Sequence, residues 1–242
     1  MQDIFRTDDL ECNGLKIKQY KEGYRFSSDA VLLANTVRCK RGDTIVDFGC
    51  GNGVISILLT AKTPCKKVIG IEVQKDVAEL AKQNVKLNNL SERVQVLCLD
   101  ILDAPAVLGK ESVETVVCNP PFFTPSSGDK RENPQVALSR HESTCDLKNL
   151  MRCAGEILKF GGELYIIHKT QRMAEAVLHA YEAKLTPKVL TLVYPKLSKP
   201  ADTFILKCKK CSPDGLTVDR IVVYDENGEM TEQAKSLYNK TL

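Results

Sequence analysis

The sequence predicts an α/β fold: a seven-stranded, mostly parallel sheet with an antiparallel edge strand and helices on both faces. Three observations carry this expectation. From Asp43 onward, short apolar β-type runs alternate with longer helical patterns, as in βαβ units. The last two runs follow each other with no room for a helix, so they pair antiparallel. Finally, 43% hydrophobic and 27% charged residues in a chain of 242 are enough to bury one core.

Taken in order, residues 1–40 precede the alternating pattern. They read as a hairpin or lid turning at Asn13-Gly14, then a helix starting near Ser28-Asp29. The expected strands are Thr44–Phe48, Lys67–Glu72, Val94–Leu99, Val113–Cys118, Glu163–His168, Thr186–Tyr194 and Thr203–Cys208. Between them lie expected helices over Val54–Ala61, Lys75–Asn88, Leu147–Phe160 and Gln171–Ala183. Asp146 and Thr170 are expected to cap the last two, and Gly161-Gly162 to stop the third. The Pro/Ser/Gly-rich segment Thr124–Asn133 is a long loop, which in a compact domain usually has a task. After Cys211, a Pro213-Asp214-Gly215 turn leads into a further β-type run, Thr217–Tyr224, and Asp225–Gly228 turns into a short terminal helix. The expected organisation is one domain over 1–242, with a core at 41–211 and an extension at 212–242.

The formal charge of +3 and pI near 8.3 permit contact with a nucleic acid without requiring it. Nothing near Met1 has a signal-peptide pattern, and no apolar run approaches the roughly 20 residues that span a bilayer. The expected location is the cytoplasm, with no membrane partner. The 10 cysteines are scattered, most of them inside apolar runs where they pack as small hydrophobes. Cys208 and Cys211 have zinc-like spacing, but no second pair completes four ligands, so no metal is expected.

The segment Val46-Asp47-Phe48-Gly49-Cys50-Gly51-Asn52-Gly53 leaves an apolar run, passes three glycines and enters a helix. Glycines allow a tight turn and close approach of a ligand to the backbone and to helix N–H groups. Dinucleotide sites use a similar loop, but this spacing differs, and Asp47 would repel a pyrophosphate while welcoming a cation. The next run ends in Glu72, placed to accept from two ribose hydroxyls, and the third in Asp100, placed to accept from an adenine amino group. Together these residues resemble the motifs of class I methyltransferases that bind S-adenosylmethionine. The resemblance implies a Rossmann-like sheet, with Asp47, Gly49, Gly51 and Asn52 at the methionine end, Glu72 and Val73 at the ribose, and Asp100 and Ile101 at the adenine. It also places Asn119 against the cofactor.

Asn119-Pro120-Pro121-Phe122-Phe123 follows the fourth run, at the end of the sheet where open α/β folds place ligands. Two prolines fix the backbone and leave the Asn119 side chain and the Pro120 carbonyl as two aimed acceptors. Accepting from both hydrogens of a conjugated amine frees its lone pair for attack, and Phe122 can stack on a flat substrate. A rigid turn backed by two core phenylalanines is the plain alternative. The tetrapeptide is similar to the motif of enzymes that methylate amines on planar carriers: adenine N6 in DNA or RNA, and the glutamine amide of release factors.

Glutamine-specific members usually carry Tyr at the fourth position and a preceding helical domain, and DNA-specific members a large recognition insert. Neither is present, which favours RNA. The whole chain moreover resembles bacterial tRNA adenine-N6 methyltransferases that modify valine tRNA beside the anticodon. The match is carried by Tyr24–Ala34, the glycine loop, the Asn-Pro-Pro-Phe-Phe segment, Arg140-His141-Glu142 and Tyr224–Gly228. It implies Asn119, Pro120 and Phe122 as the catalytic group and tRNA as the partner of a monomer or, at most, a weak dimer. Pro121, Phe123, Lys130, Arg131, Arg140 and His141 are expected to touch the substrate, with Lys148 and Arg152 nearby. A second basic edge is expected from Lys188, Lys196, Lys199, Lys207, Lys209 and Lys210. The competing readings are N6-methylation of ribosomal RNA or DNA, protein glutamine methylation, and a cofactor-binding module without activity.

Overall fold

The computed structural model describes residues 4–21, 28–121 and 146–238. A hairpin of β1 (Phe5–Asp9) and β2 (Lys16–Tyr20) comes first. Asn13 and Gly14, both at positive φ, lie in its turn as the sequence predicts. Then follow α1 (Ser28–Thr36), β3 (Thr44–Phe48), α2 (Val54–Lys62), β4 (Lys67–Glu72), α3 (Lys75–Leu87) and β5 (Val94–Cys98). A 3₁₀ turn at Ile101–Asp103 and the short α4 (Ala104–Leu108) precede β6 (Val113–Cys118). The second half holds α5 (Leu147–Ile157), β7 (Leu158–Lys169), α6 (Met173–Glu182), β8 (Leu185–Tyr194), β9 (Thr203–Lys210), β10 (Thr217–Val222) and α7 (Glu232–Tyr238).

The main sheet runs β10-β8-β9-β7-β6-β3-β4-β5. Among the described residues it has eight strands where seven were expected, because the run after the Pro213-Asp214-Gly215 turn joins the sheet as β10, parallel to β8. The antiparallel strand is β9, and it lies inserted between β7 and β8 with the edge taken by β10. The short β8–β9 connection forces β9 to run back beside β8, and the β7–β8 crossover through α6 leaves a gap of one strand for it to fill. Strand alternation splits the core in two. Ile45, Val117, Tyr165 and Ile167 face α1, α2, α3 and the hairpin, whereas Val46, Phe48, Val116, Cys118 and Ile166 face α4, α5 and α6.

Asp146 caps α5 as expected, its Oδ1 accepting from the Asn149 N–H at 2.7 Å. The helix stops at Ile157, three residues short of the expected end at Phe160, because Leu158 is already extended and pairs with β6. Gly161-Gly162 instead form a bulge within β7. Gly161 has φ +73, and a Cβ on Gly162 would lie 2.9 Å from the Lys159 carbonyl oxygen and 3.0 Å from that of Glu114. Thr170 does not cap α6: a 3₁₀ turn over Thr170–Arg172 intervenes, and its hydroxyl donates to the Ala201 carbonyl at 3.1 Å.

Among the described residues, three side-chain amides both accept from a backbone N–H and donate to a backbone carbonyl. Asn88 Oδ1 accepts from the Lys16 N–H at 2.8 Å and its Nδ2 donates to the Lys16 carbonyl at 2.7 Å, as a neighbouring strand would. Asn84 treats Lys18 the same way, at 2.7 and 2.8 Å. On the far edge, Gln233 of α7 accepts from the Val222 N–H and donates to the Arg220 carbonyl, which occupies part of the open side of β10.

Candidate active site

The site lies where β3, β4, β5 and β6 end. β3 carries Asp47, fully buried, into a loop in which Gly49, Gly51 and Gly53 take φ of +68, +56 and +87. These left-handed positions exclude ordinary side chains and turn the chain sharply into α2. The turn is held by Cys50 N–H to the Ile71 carbonyl at 2.9 Å and Gly53 N–H to the Cys50 carbonyl at 2.8 Å. Gly70 on β4 is required by the same packing, since a Cβ there would meet the Cys50 Sγ at 2.8 Å.

Asp47 Oδ2 accepts from the Ser56 hydroxyl at 2.7 Å. Burial pushes its carboxyl up to about 7, opposed by the Ser56 hydrogen bonds. Glu72 is buried at the end of β4, where it accepts from the Gly51 N–H at 3.1 Å and the Gln74 N–H at 2.9 Å. Its carboxyl is raised by burial against the pull of those N–H groups. Val73, which follows, is exposed, and its carbonyl receives the Cys98 thiol at 3.7 Å. Asp100 follows β5 and caps the 3₁₀ turn, accepting from the Leu102 N–H at 2.9 Å, with Ile101 buried beside it.

Asp47 Oδ1 and both polar atoms of the Asn52 amide are buried without a hydrogen-bond partner among the described residues. A Cβ at Gly49 would meet nothing within 4 Å. An acceptor of negative character, a donor–acceptor amide and open backbone at one strand end suit an ammonium and carboxylate pair. The donor set thus fits the methionine end of the expected cofactor, and Glu72 and Asp100 stand in order at the next two strand ends.

β6 pairs with β3 in parallel register, Cys118 opposite Phe48, and the Cys118 thiol donates to the Phe48 carbonyl at 3.2 Å. Gly49 and Asn119, the residues that follow this pair, therefore leave neighbouring strands at the same end of the sheet. Asn119 is half-buried, Pro120 buried and Pro121 exposed. Phe122, Phe123, Lys130, Arg131, Arg140, His141 and the Thr124–Asn133 loop lie outside the described residues, as do Tyr24–Ser27. Of the neighbouring cations, Arg152 pairs with Glu156 at 2.7 Å and Lys148 is exposed on α5.

The expected second basic edge is not one surface. Because β9 runs antiparallel, Lys209 and Lys210 sit at the end of the sheet opposite the glycine loop, and Lys210 is buried against the Leu158 carbonyl and Glu111. Lys207 pairs with Glu163 at 2.9 Å, and Lys188 donates to the Pro213 carbonyl. Only Lys196 and Lys199, in the β8–β9 connection, share the glycine-loop end. There Glu226, in the late segment Tyr224–Gly228, accepts from the Ser198 N–H and hydroxyl and so braces the connection. Cys208 is buried and Cys211 exposed past the strand end, and no group of three or more potential metal ligands occurs among the described residues.

The sequence reading overlooked His168. It is buried two residues beyond Ile166, the register partner of Cys118, and so stands level with Pro120. Burial, with Arg172 and Lys169 nearby, lowers its imidazole to about 4, and Nδ1 accepts from the Lys169 N–H at 2.8 Å. It is neutral at physiological pH. Asn84 was also missed, although an asparagine inside a helix, where Asn is disfavoured, was a usable signal.

Residues 25–186 match the model of the methyltransferase small domain family. A Porphyromonas gingivalis protein named tRNA1(Val) (adenine(37)-N6)-methyltransferase is 32% identical over 215 residues, covering 82% of this chain and 84% of that one. A Vibrio campbellii protein of the same name is 23% identical over 242 residues, 97% and 99% of the two chains. Among solved structures, a protein described as a predicted O-methyltransferase from Agrobacterium tumefaciens superposes with a TM-score of 0.72 at 23% identity, covering 87% of this chain and 95% of that one. A geranyl diphosphate C-methyltransferase from Streptomyces coelicolor gives 0.56 at 14%, covering 76% and 79%. These two bear on the fold alone. With the glycine loop, the ordered acids and the adjoining Asn119 in place, the chain belongs to the methyltransferase small domain family, alongside bacterial enzymes named tRNA1(Val) (adenine(37)-N6)-methyltransferase.

Proposed function

We propose that this protein transfers a methyl group from S-adenosylmethionine to the exocyclic N6 of an adenine in tRNA, near the anticodon. The observation that carries the reading is the register of β3 and β6, which sets the cofactor loop and Asn119 side by side. The names of the relatives supply the nucleic acid. We read the chain as a single catalytic domain with a hairpin ahead of its core and a short extension behind it, acting in the cytoplasm as a monomer or, at most, a weak dimer. Among the described residues no helix is long and apolar enough to cross a membrane.

Asp47, Gly49, Gly51 and Asn52 would hold the amino-acid end of the cofactor, Glu72 with Val73 the ribose, and Asp100 with Ile101 the adenine. When bound, S-adenosylmethionine supplies an electrophilic methyl group on a sulfonium sulfur that leaves as a neutral thioether. The Asn119 side-chain oxygen and the Pro120 carbonyl accept from the two N6 hydrogens, which localises the nitrogen lone pair where charge develops. Pro120 and Pro121 hold those acceptors in a fixed orientation. The nitrogen's pair forms the new N–C bond as the C–S bond breaks, and the extra proton then passes to solvent, so no residue acts as base beforehand. His168, neutral and already engaged at Nδ1, leaves that accounting unchanged. Phe122 stacking on the flipped base, Pro121 and Phe123 beside it, and Lys130, Arg131, Arg140 and His141 on the flanking backbone complete the proposed substrate contacts.

The test is incubation with methyl-labelled S-adenosylmethionine and separate pools of unmodified tRNA, ribosomal RNA, DNA and release factor, followed by nucleoside analysis. N6-methyladenosine in tRNA is the expected product, formed more slowly as salt rises. Label confined to the protein fraction would overturn the assignment.

A further inference from the structure

The Asn84 side chain, fully buried on α3, bonds three backbone atoms of two other elements. Its Oδ1 accepts from the Lys18 N–H at 2.7 Å, and its Nδ2 donates to the Lys18 carbonyl at 2.8 Å and to the Asn52 carbonyl at 2.9 Å. The first two bonds seat the hairpin. The third reaches into the glycine loop, 32 residues away in sequence. We infer that Asn84 is a positioning residue that fixes the Asn52-Gly53 peptide for cofactor binding and couples it to the docking of the N-terminal hairpin.

The Asn52-Gly53 peptide is gripped from both sides. Its N–H, on Gly53, donates to the Cys50 carbonyl at 2.8 Å, while its C=O, on Asn52, is taken by Asn84. A peptide held at both ends cannot flip, and a glycine at φ +87 would otherwise do so readily. One turn before Asn84, Ala81 closes on the same loop, its Cβ 3.4 Å from where a Gly53 Cβ would stand. What the clamp orients is the Asn52 side chain, whose buried amide has no partner among the described residues. Leaving such a group unpaired is unfavourable, so the free loop is driven to turn the amide elsewhere unless its backbone is held. Asn88, at the C-terminal cap of the same helix, provides the contrast: it pairs with Lys16 of the hairpin and with the Asn84 carbonyl, and among the described residues makes no bond to the glycine loop.

The inference rests on the cofactor site proposed above, and it is tested on the full chain with S-adenosylhomocysteine as the probe. Asn84→Asp keeps the shape and the acceptor for the Lys18 N–H but removes the donor to both the Asn52 and the Lys18 carbonyls; Asn88→Ala, which frees the hairpin at Lys16 without touching the glycine loop, controls for the second loss. Calorimetric titration is expected to give affinity weakened about tenfold, the factor that loss of the hydrogen bond to the Asn52 carbonyl corresponds to. Asn88→Ala is expected to stay within twofold of the parent while its Lys16 amide exchanges faster. Hydrogen exchange without ligand reads the clamp directly: the Gly53 amide should exchange at least tenfold faster in Asn84→Asp and in Asn84→Ala, and unchanged in Asn88→Ala. In the parent protein, saturating ligand should slow exchange at the Lys18 amide, and this slowing should vanish in Asn84→Ala. Equal loss of affinity in Asn84→Asp and Asn88→Ala, or a Gly53 amide indifferent to Asn84, overturns the clamp. A parent protein that does not bind the probe overturns the cofactor assignment instead, and the ligand-free exchange still decides the clamp.

Discussion

The two sides of the proposed site are built differently. At the ends of β3 and β4 the polar groups are tied to one another: Asp47 to Ser56, Glu72 to the Gly51 and Gln74 N–H groups, and the Asn52 carbonyl to Asn84. At the end of β6, Asn119 is placed by strand register, with the Cys118–Phe48 contact one residue earlier and two prolines after it. The cofactor side is thus preorganised by a buried network in which each member constrains the next. The substrate side is aimed by covalent stiffness. A carboxylate or amide in the first network should therefore act on affinity, whereas Asn119 should act on the chemical step alone.

The sharpest way to break that comparison is Asn119→Ala. Loss of one of two aimed acceptors should lower kcat by about 10²–10³-fold. Cofactor affinity, measured by calorimetry, should stay within about twofold. An equal loss in both would mean that the two sides are one network.

Asp47 gives a smaller and pH-dependent effect. Its carboxyl titrates near 7 in the free protein, raised by burial from 3.8. Between those values the folded state binds more protons than the unfolded one, so this group makes stability fall as pH rises through the window. A cationic ligand favours the ionised form, so cofactor affinity should rise over the same window and flatten above it. Asp47→Asn should abolish that rise in affinity, and calorimetry between pH 5.5 and 8.5 would read it. A parallel slope in the variant would move the effect to another group. His168 works in the opposite sense: its imidazole, lowered from 6.5 to about 4, adds stability that is lost as pH falls through that range. Thermal melts in the absence of ligand therefore have to be compared between parent and variant at each pH.

The smallest effect is at the edge of both regions. Asp146→Ala removes the α5 cap and should cost about 1 kcal/mol. That corresponds to a Tm lower by about 2–4 °C, with kcat/KM unchanged. A large kinetic effect would tie α5 to the reactive side.

Much of this was legible beforehand. The strands β3, β4, β6 and β7 announce themselves as apolar runs because they lie inside the sheet and are largely buried on both faces, whereas β5 at the edge alternates; the acids at Asp47, Glu72 and Asp100 fall where the runs of β3, β4 and β5 end. The loop geometry was readable too, since glycine is the residue that most readily takes φ of +68, +56 and +87 at three alternate positions. The third helix was read too long because Lys159-Phe160 continues a helical pattern, while pairing of Leu158 with Val113 takes that residue into the sheet. The lysines after Lys188 looked like one edge because they are close in sequence, but strand direction and alternation send them to two ends and into the core.

By itself the sequence determined most of the succession of elements, the glycine loop after β3 and the stiff Asn119-Pro120-Pro121 turn after β6, because burial periodicity and glycine or proline backbone limits act over a few residues. Tertiary structure alone decided that β9 inserts between β7 and β8, that β10 takes the edge, and that Asn84 joins the hairpin to the glycine loop. Those outcomes depend on hydrogen bonds between groups tens of residues apart, and a side-chain amide matches a backbone partner only once packing has brought the two together.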